Sequence, residues 1–271
     1  VTTAPASDEI VTRLRAAGCV FAEQEAALLA AEADGVRLEA LLVRRLAGEP
    51  LEQVLGWAEF CGRRVIVEPT VFVPRRRTEL LVRAALASAG PDPVIVDLCC
   101  GTGAVAAVLR AELPDADVHA VELDAAAVRC ARRNLPPERV HHGDLYAALP
   151  GHLRGRVDVL VANAPYVPTE AIALMPPEAR EHEARIALDG GADGLEVHRR
   201  IVEGAPDWLT PGGRLIVETS AEQAAGTAAL AAAAGLAPEV VEDGELGATA
   251  VVAALPGGSG PGGRPAPSTN L

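Results

Sequence analysis

Ile10, Val11, Leu14 and Ala17 recur at helical spacing before Gly18, and the same rhythm returns over residues 22–33 and 38–47, ahead of Gly35 and Gly48. Ser7 is placed to cap the first helix, with Asp8 and Glu9 in its opening turn, where carboxylates favour the helix dipole. Three such short helices cannot bury a core by themselves, so the pattern predicts a small helical unit docked on a larger body. The pattern then turns strand-like at residues 57–60 and 63–67, around a Cys61-Gly62 hairpin. Pro69 and Pro74 bracket a stiff connection, and a helix is expected over residues 78–89, stopped by Gly90-Pro91.

From Pro93 onward strands and helices alternate. Strands are expected at 94–97, 118–122, 139–142, 157–162 and 213–218, with helices at 104–112, 125–134, 195–208 and 221–234. Two last strands, near Val240 and over 249–255, can form an antiparallel hairpin. This rhythm predicts an open, mostly parallel α/β sheet with helices on both faces. The Gly-, Pro- and Ser-rich tail after Pro256 is expected to be disordered.

Composition narrows the function classes. The 271 residues suffice for one α/β domain and a small extra unit, and a 49% hydrophobic content supplies its core. A net charge of −13 argues against a broad nucleic-acid surface, which needs Lys and Arg to neutralise phosphates; a local patch at Arg75, Arg76 and Arg77 remains. The sequence holds no apolar run long enough to span a membrane, and residues 1–9 lack the layout of a signal peptide. Five cysteines without CxxC spacing argue against a disulfide framework or a metal site and point to a reducing cytoplasm. Adjacent Cys99 and Cys100 read as compact apolar loop residues, and His141-His142 as a surface strand end.

Two segments carry chemistry. Asp97-Leu98-Cys99-Cys100-Gly101-Thr102-Gly103 ends an apolar strand and opens a helix, where glycines let a ligand approach free amides. Glu122 ends the next strand, placed to accept from both hydroxyls of a ribose. The loop lacks the third glycine of a dinucleotide fingerprint, so a single-nucleoside cofactor such as S-adenosylmethionine fits it better. Asp97 reads as a loop organiser. Asp144 either accepts from an adenine amino group or caps a helix beginning at Leu145.

The second segment is Asn163-Ala164-Pro165-Tyr166, directly after the 157–162 strand. An amide nitrogen is a poor nucleophile because its lone pair is delocalised into the carbonyl. Two acceptors on its two protons, the Asn163 side-chain oxygen and the Ala164 carbonyl, can aim that lone pair at an electrophilic methyl group. Pro165 stiffens the turn and Tyr166 packs on the planar group. Positioning of this kind can supply about 7–11 kcal/mol.

On these residues the chain resembles the HemK/PrmC protein N5-glutamine methyltransferases, which act on the Gly-Gly-Gln glutamine of peptide-chain release factors. The likeness runs from about Leu41 to Leu255. It rests on Gly48-Glu49-Pro50-Leu51, Val73-Pro74-Arg75, Thr78-Glu79-Leu80-Leu81-Val82, the two segments above, and Ala187-Leu188-Asp189-Gly190-Gly191-Ala192-Asp193-Gly194-Leu195. The Gly-rich stretch is the most specific, because related adenine methyltransferases share the turn and not that stretch.

The resemblance implies a Rossmann-like class I methyltransferase fold with a seven-stranded, mostly parallel sheet. Its domain over residues 78–255 would follow a helical substrate-recognition unit (1–50) and a hairpin linker (51–77), with a tail at 256–271. It implies S-adenosylmethionine on Cys99, Cys100, Gly101, Thr102, Gly103, Glu122 and Asn163, and a protein substrate, a release factor in the family, gripped by Asn163, Ala164, Pro165 and Tyr166.

The chain departs from the family at Ala164 (usually Pro), at Arg76-Arg77 (usually Pro-Glu), at Cys99-Cys100 (usually Gly- or Thr-type), at Ala184 of a usual Glu-Pro pair, and in a shorter helical unit. Three other readings use the same residues. One is methylation of another peptide or a small natural product. Another is methylation of a flipped adenine, which the acidic charge disfavours. The last is a non-catalytic cofactor-binding protein, against which Asn163 and Tyr166 stand.

Overall fold

The computed structural model describes residues 7–257. The cap expected of the Ser7 side chain and the tail from residue 258 lie outside the described residues. Four helices, α1 (Ser7–Ala16), α2 (Ala22–Glu32), α3 (Gly35–Leu46) and α4 (Leu51–Leu55), bury Ile10, Leu14, Leu29, Leu38, Leu42 and Val54 together. Extended Ala33 ends α2, so Gly35 opens α3 three residues earlier than its apolar rhythm announces. α4 is too short for any periodicity to reveal it.

The hairpin of β1 (Trp57–Phe60) and β2 (Arg63–Ile66) turns at Cys61-Gly62. Trp57 Nε1 and Arg64 Nη1 both reach Glu32 on α2, at 3.0 and 2.8 Å, which ties the hairpin to the helical unit. A 3-10 turn at Arg76–Thr78 then leads into α5 (Glu79–Ser88).

The main sheet is built from β3 (Val94–Leu98), α6 (Ala104–Glu112), β4 (Asp117–Glu122), α7 (Ala125–Asn134), β5 (Val140–His142) and β6 (Val157–Ala162). It continues with α8 (Pro177–His182), α9 (Glu196–Trp208), β7 (Leu209–Thr219), α10 (Ala224–Ala233), β8 (Ala237–Asp243) and β9 (Ala248–Ala254). The seven strands lie in the order β5-β4-β3-β6-β7-β9-β8, all parallel except β9, which is antiparallel to both neighbours. This is the α/β sheet the alternating pattern predicts, with the expected final hairpin.

Ile95, Val159, Val161 and Ile216 face α5, α6 and α7, while Val96, Leu160, Leu215 and Val217 face α9 and α10. Both faces are buried, which is why the parallel strands read as mostly apolar rather than strictly alternating, with Asp97 and Asp158 the interruptions in β3 and β6. Each such side chain, once buried, contributes about 1.5–3 kcal/mol.

Strand order reverses between β3 and β6, where ligands bind beyond the carboxyl ends in open α/β sheets. Leu98 is paired with Ala162, so the Cys99–Gly103 loop and the Asn163–Tyr166 turn leave the sheet side by side. No helix among the described residues is long and apolar enough to cross a membrane.

Candidate active site

A single open cavity lies over this reversal, and Cys99, Cys100, Gly101, Thr102, Glu122, Asp144, Leu145, Asn163, Ala164, Pro165 and Tyr166 all line it. Asp97 and Gly103 stand behind it and shape its loop. Asp97 Oδ2 accepts from the Ala106 amide at 3.1 Å, capping α6 from the strand below. Burial raises the Asp97 carboxyl to about 7, against the pull of that hydrogen bond. Gly103, at φ 76°, packs against α7 so closely that a Cβ would sit 2.8 Å from Leu135 Cδ1. Cys99 adopts φ 57°, a left-handed conformation that costs a non-glycine residue roughly 1–2 kcal/mol. Burial pushes both adjacent thiols well above their ordinary range, so they stay neutral and compact.

Glu122 organises the loop as well as facing the cavity. Its Oε2 accepts from Gly101 N at 2.8 Å, and its Oε1 accepts from Leu123 N and Asp124 N at 2.7 and 2.9 Å. Burial raises this carboxyl, and the three amides oppose the shift by favouring the anion. Of about four lone-pair sites on a carboxylate, the amides leave one, on Oε2. A ribose therefore finds one open acceptor here, and a second hydroxyl must share an oxygen already in use.

Asp144 is held by Arg200 Nη2 at 2.6 Å and makes no side-chain cap to the 3-10 turn of Leu145–Ala148 that follows it. Leu145, at φ 45°, turns back into the cavity.

On the acceptor side, Asn163 Nδ2 donates to Thr78 Oγ1 at 3.2 Å, and among the described residues no donor reaches its Oδ1. That arrangement leaves the side-chain oxygen available to an incoming NH2 group. Ala164 is 1% exposed, its methyl in the core shared with β6 and β7, while its main chain borders the cavity. Tyr166 donates to Glu218 Oε1 at 3.3 Å, and burial raises its phenol to about 12.

The Gly-rich stretch wraps the turn from outside. Val167 N donates to Leu188 O and Gly190 N to Val167 O, at 3.0 and 2.9 Å. A Cβ on Gly190 would lie 2.8 Å from both Pro165 O and Tyr166 Cα. One on Gly194, at φ 74°, would overlap Tyr166 O and Gln223 Nε2, which are themselves hydrogen-bonded at 2.9 Å. The stretch accompanies this turn because only glycine lets two backbones meet so closely.

Four residues to which the sequence assigned no site role complete the site: Thr78, within a stretch that carries the family resemblance, Glu183, of the usual Glu-Pro pair, and Glu218 and Gln223. Arg75 pairs with buried Glu183, whose Oε1 also takes Val73 N at 3.1 Å, and Arg77 Nε meets Glu218 Oε1 at 3.2 Å. Two members of the arginine cluster are thus anchors of the cavity wall, and Arg76 is exposed. These partners lie more than 100 residues away in the chain, and no local pattern pairs them.

The model of the family described as Methyltransferase small domain matches residues 64–184. A release factor glutamine methyltransferase of Cereibacter sphaeroides is 41% identical over 74% of this chain and 72% of its own length. The chain belongs to the HemK/PrmC methyltransferase family.

A second release factor glutamine methyltransferase, from Geobacter sulfurreducens, is 42% identical over 68% of this chain. The chain spans 65% of that relative's length. A 4-amino-L-phenylalanine/4-methylamino-L-phenylalanine methyltransferase of Streptomyces pristinaespiralis is 39% identical, covering 71% of this chain and 68% of its own. Among solved structures, a methyltransferase of Pyrococcus furiosus superposes with a TM-score of 0.54 at 18% identity, covering 73% of this chain and 90% of its own, which supports the class I fold.

S-adenosylmethionine is the cofactor of this HemK/PrmC member. The residues present fit it: a half-open carboxylate at Glu122, a glycine loop and an apolar floor at Leu145 share one cavity with the acceptor turn.

Proposed function

We propose that the chain is an S-adenosylmethionine-dependent N-methyltransferase whose acceptor is a glutamine side-chain amide in a protein, with a release factor as the substrate. The observation that carries this reading is the pairing of Leu98 with Ala162, which sets the cofactor loop and the Asn163–Tyr166 turn at one cavity. The cofactor supplies an electrophilic methyl group on a sulfonium.

The chain's own residues do the rest. Asn163 Oδ1, freed by the bond from its NH2 to Thr78, accepts one amide proton, and the Ala164 carbonyl accepts the other. Held so, the nitrogen keeps its lone pair out of conjugation and aimed along the transfer axis. Tyr166 and the apolar wall of Met175 and Ile186 exclude water from the planar group. The nitrogen's proton becomes acidic as the new bond forms, so no strong base is required. Positioning is the main catalytic device, at about 7–11 kcal/mol in favourable cases.

A second reading is favoured by one observation. The relative named for 4-amino-L-phenylalanine matches as much of the chain as the release factor enzymes do, and an aromatic amine presents the same two protons to the same turn. Incubation with methyl-labelled cofactor and either a release factor or 4-aminophenylalanine, followed by mass spectrometry, decides between them. A label on the glutamine amide supports the first, and a label on the arylamine alone supports the second.

A further inference from the structure

We propose that Glu218 is a positioning residue of the acceptor site, its buried carboxylate holding the hydroxyl end of Tyr166 and the guanidinium of the partly exposed Arg77 in one network. The inference rests on the methyl-transfer reading above and adds a residue to it. Glu218 ends β7, and the neighbouring pair Val217–Ala162 puts it beside the point where Asn163 leaves the sheet. Its side chain is 3% exposed. Oε1 receives Arg77 Nε at 3.2 Å and the Tyr166 hydroxyl at 3.3 Å, while Oε2 is buried with no partner among the described residues.

A carboxylate sunk this deeply with one oxygen unpaired is costly, and such groups in folded proteins call for an explanation. Its neighbours on β7 and β9 are Val217, Thr219, Thr249, Ala250 and Val251, and among the described residues none of them bonds its side chain. Its two partners both line the cavity.

The remaining restraints on Tyr166 act elsewhere on the residue. Gly190 and Gly194 pack on its main chain, Gln223 Nε2 holds its carbonyl at 2.9 Å, and the His198 ring lies 6.3 Å away at a 50° tilt. Among the described residues only Glu218 and its ion pair with Arg77 fix the phenol tip, and with it the plane of the wall against which an amide would lie. In the family resembled by this sequence the residue at 77 is usually acidic; Arg77 here sets a cation 3.2 Å from the Glu218 carboxylate, beside the phenol.

The chain has two tyrosines, and the other, Tyr146, bonds Ile201 O at 2.6 Å away from this network. The test is ring-carbon-labelled tyrosine NMR on the full chain, with Tyr146→Phe assigning the two signals, combined with steady-state kinetics. Glu218→Gln is expected to move the Tyr166 signal and leave Tyr146 in place. It should raise KM for the acceptor about tenfold with cofactor Kd within about twofold, and adding Tyr166→Phe should cost little more, as for residues in one network.

An unmoved Tyr166 signal, or strictly additive effects of the two substitutions, overturns the proposal. Should Glu218→Gln lose its fold by circular dichroism, Tyr166→Phe alone must reproduce the KM rise, and an unchanged KM overturns it. A wild type that methylates no acceptor defeats the methyl-transfer reading, and the NMR comparison still decides the network.

Discussion

The amide of Gly101 donates to Oε2 of Glu122 across 2.8 Å, so the residue we propose to meet the cofactor also holds the loop proposed to cradle it. One carboxylate at the tip of β4 fixes the tip of β3, and binding and loop shape are coupled through it.

Glu122→Ala should weaken cofactor binding by roughly 1.5–3 kcal/mol, the range for hydrogen bonds to a charged group. The loop should also become more mobile, because three amides lose their acceptor. Titration calorimetry measures the first effect and amide exchange at Gly101 the second. Unchanged affinity would remove Glu122 from the cofactor site.

Gly194→Ala forces a methyl group into the space of Tyr166 O and Gln223 Nε2 in a left-handed conformation. The acceptor turn shifts while the cofactor loop on β3 does not. Turnover should fall about 100-fold, the effect of a misplacement near 1 Å, with cofactor affinity little changed. An equal loss of both would mean that the stretch supports the whole sheet end.

Two buried groups set opposing pH dependences. His198 is fully buried, and burial lowers its pKa from 6.5 to about 4. The unfolded chain therefore binds the extra proton first, and this contribution to stability, present above pH 6.5, is lost as the pH falls through 4. Asp97 is raised from 3.8 to about 7, so its contribution has the other sign: full below 3.8 and lost as the pH rises through 7. The two offset between pH 4 and 6.5. His198→Leu exposes the imbalance: between pH 7.5 and 5 the variant should gain about 2 kcal/mol relative to wild type in urea unfolding. A difference that does not vary with pH would mean that His198 titrates normally.

Ala164→Pro restores the residue usual in the family. Among the described residues no acceptor takes the Ala164 amide, so proline removes no hydrogen bond and keeps the carbonyl. Turnover should stay within a few-fold of wild type, as expected where a proline meets no strain. A collapse in single-turnover rate would show that the native backbone angle at 164 is not the one proline imposes.

The sheet was legible because its buried strands are mostly apolar, Val94 to Leu98 and Val157 to Ala162 each interrupted by one aspartate (Asp97, Asp158), and each helix between them keeps its period. The cofactor loop and the acceptor turn were legible because each is a short local motif at a strand end. What escaped is long-range or aperiodic. α4 has five residues, and the 3-10 turn of Thr169–Leu174 and short α8 carry no rhythm. The role of Arg75 and Arg77 depended on Glu183 and Glu218, which only folding brings within reach. The expectation that Glu122 serves two ribose hydroxyls counted its oxygens correctly and missed the three amides that occupy them first.

In the proposed mechanism Asn163 grips the nitrogen that receives the methyl group. The most direct measurement is a single-turnover assay of wild type and Asn163→Ala with labelled S-adenosylmethionine and a release factor, the methyl position read by mass spectrometry and cofactor affinity by calorimetry. The account predicts one methyl on the glutamine amide in wild type and a rate lowered by about two orders of magnitude or more in Asn163→Ala, with cofactor affinity reduced far less, because interactions realised only in the transition state are lost from turnover. Equal transfer by the two proteins would contradict it.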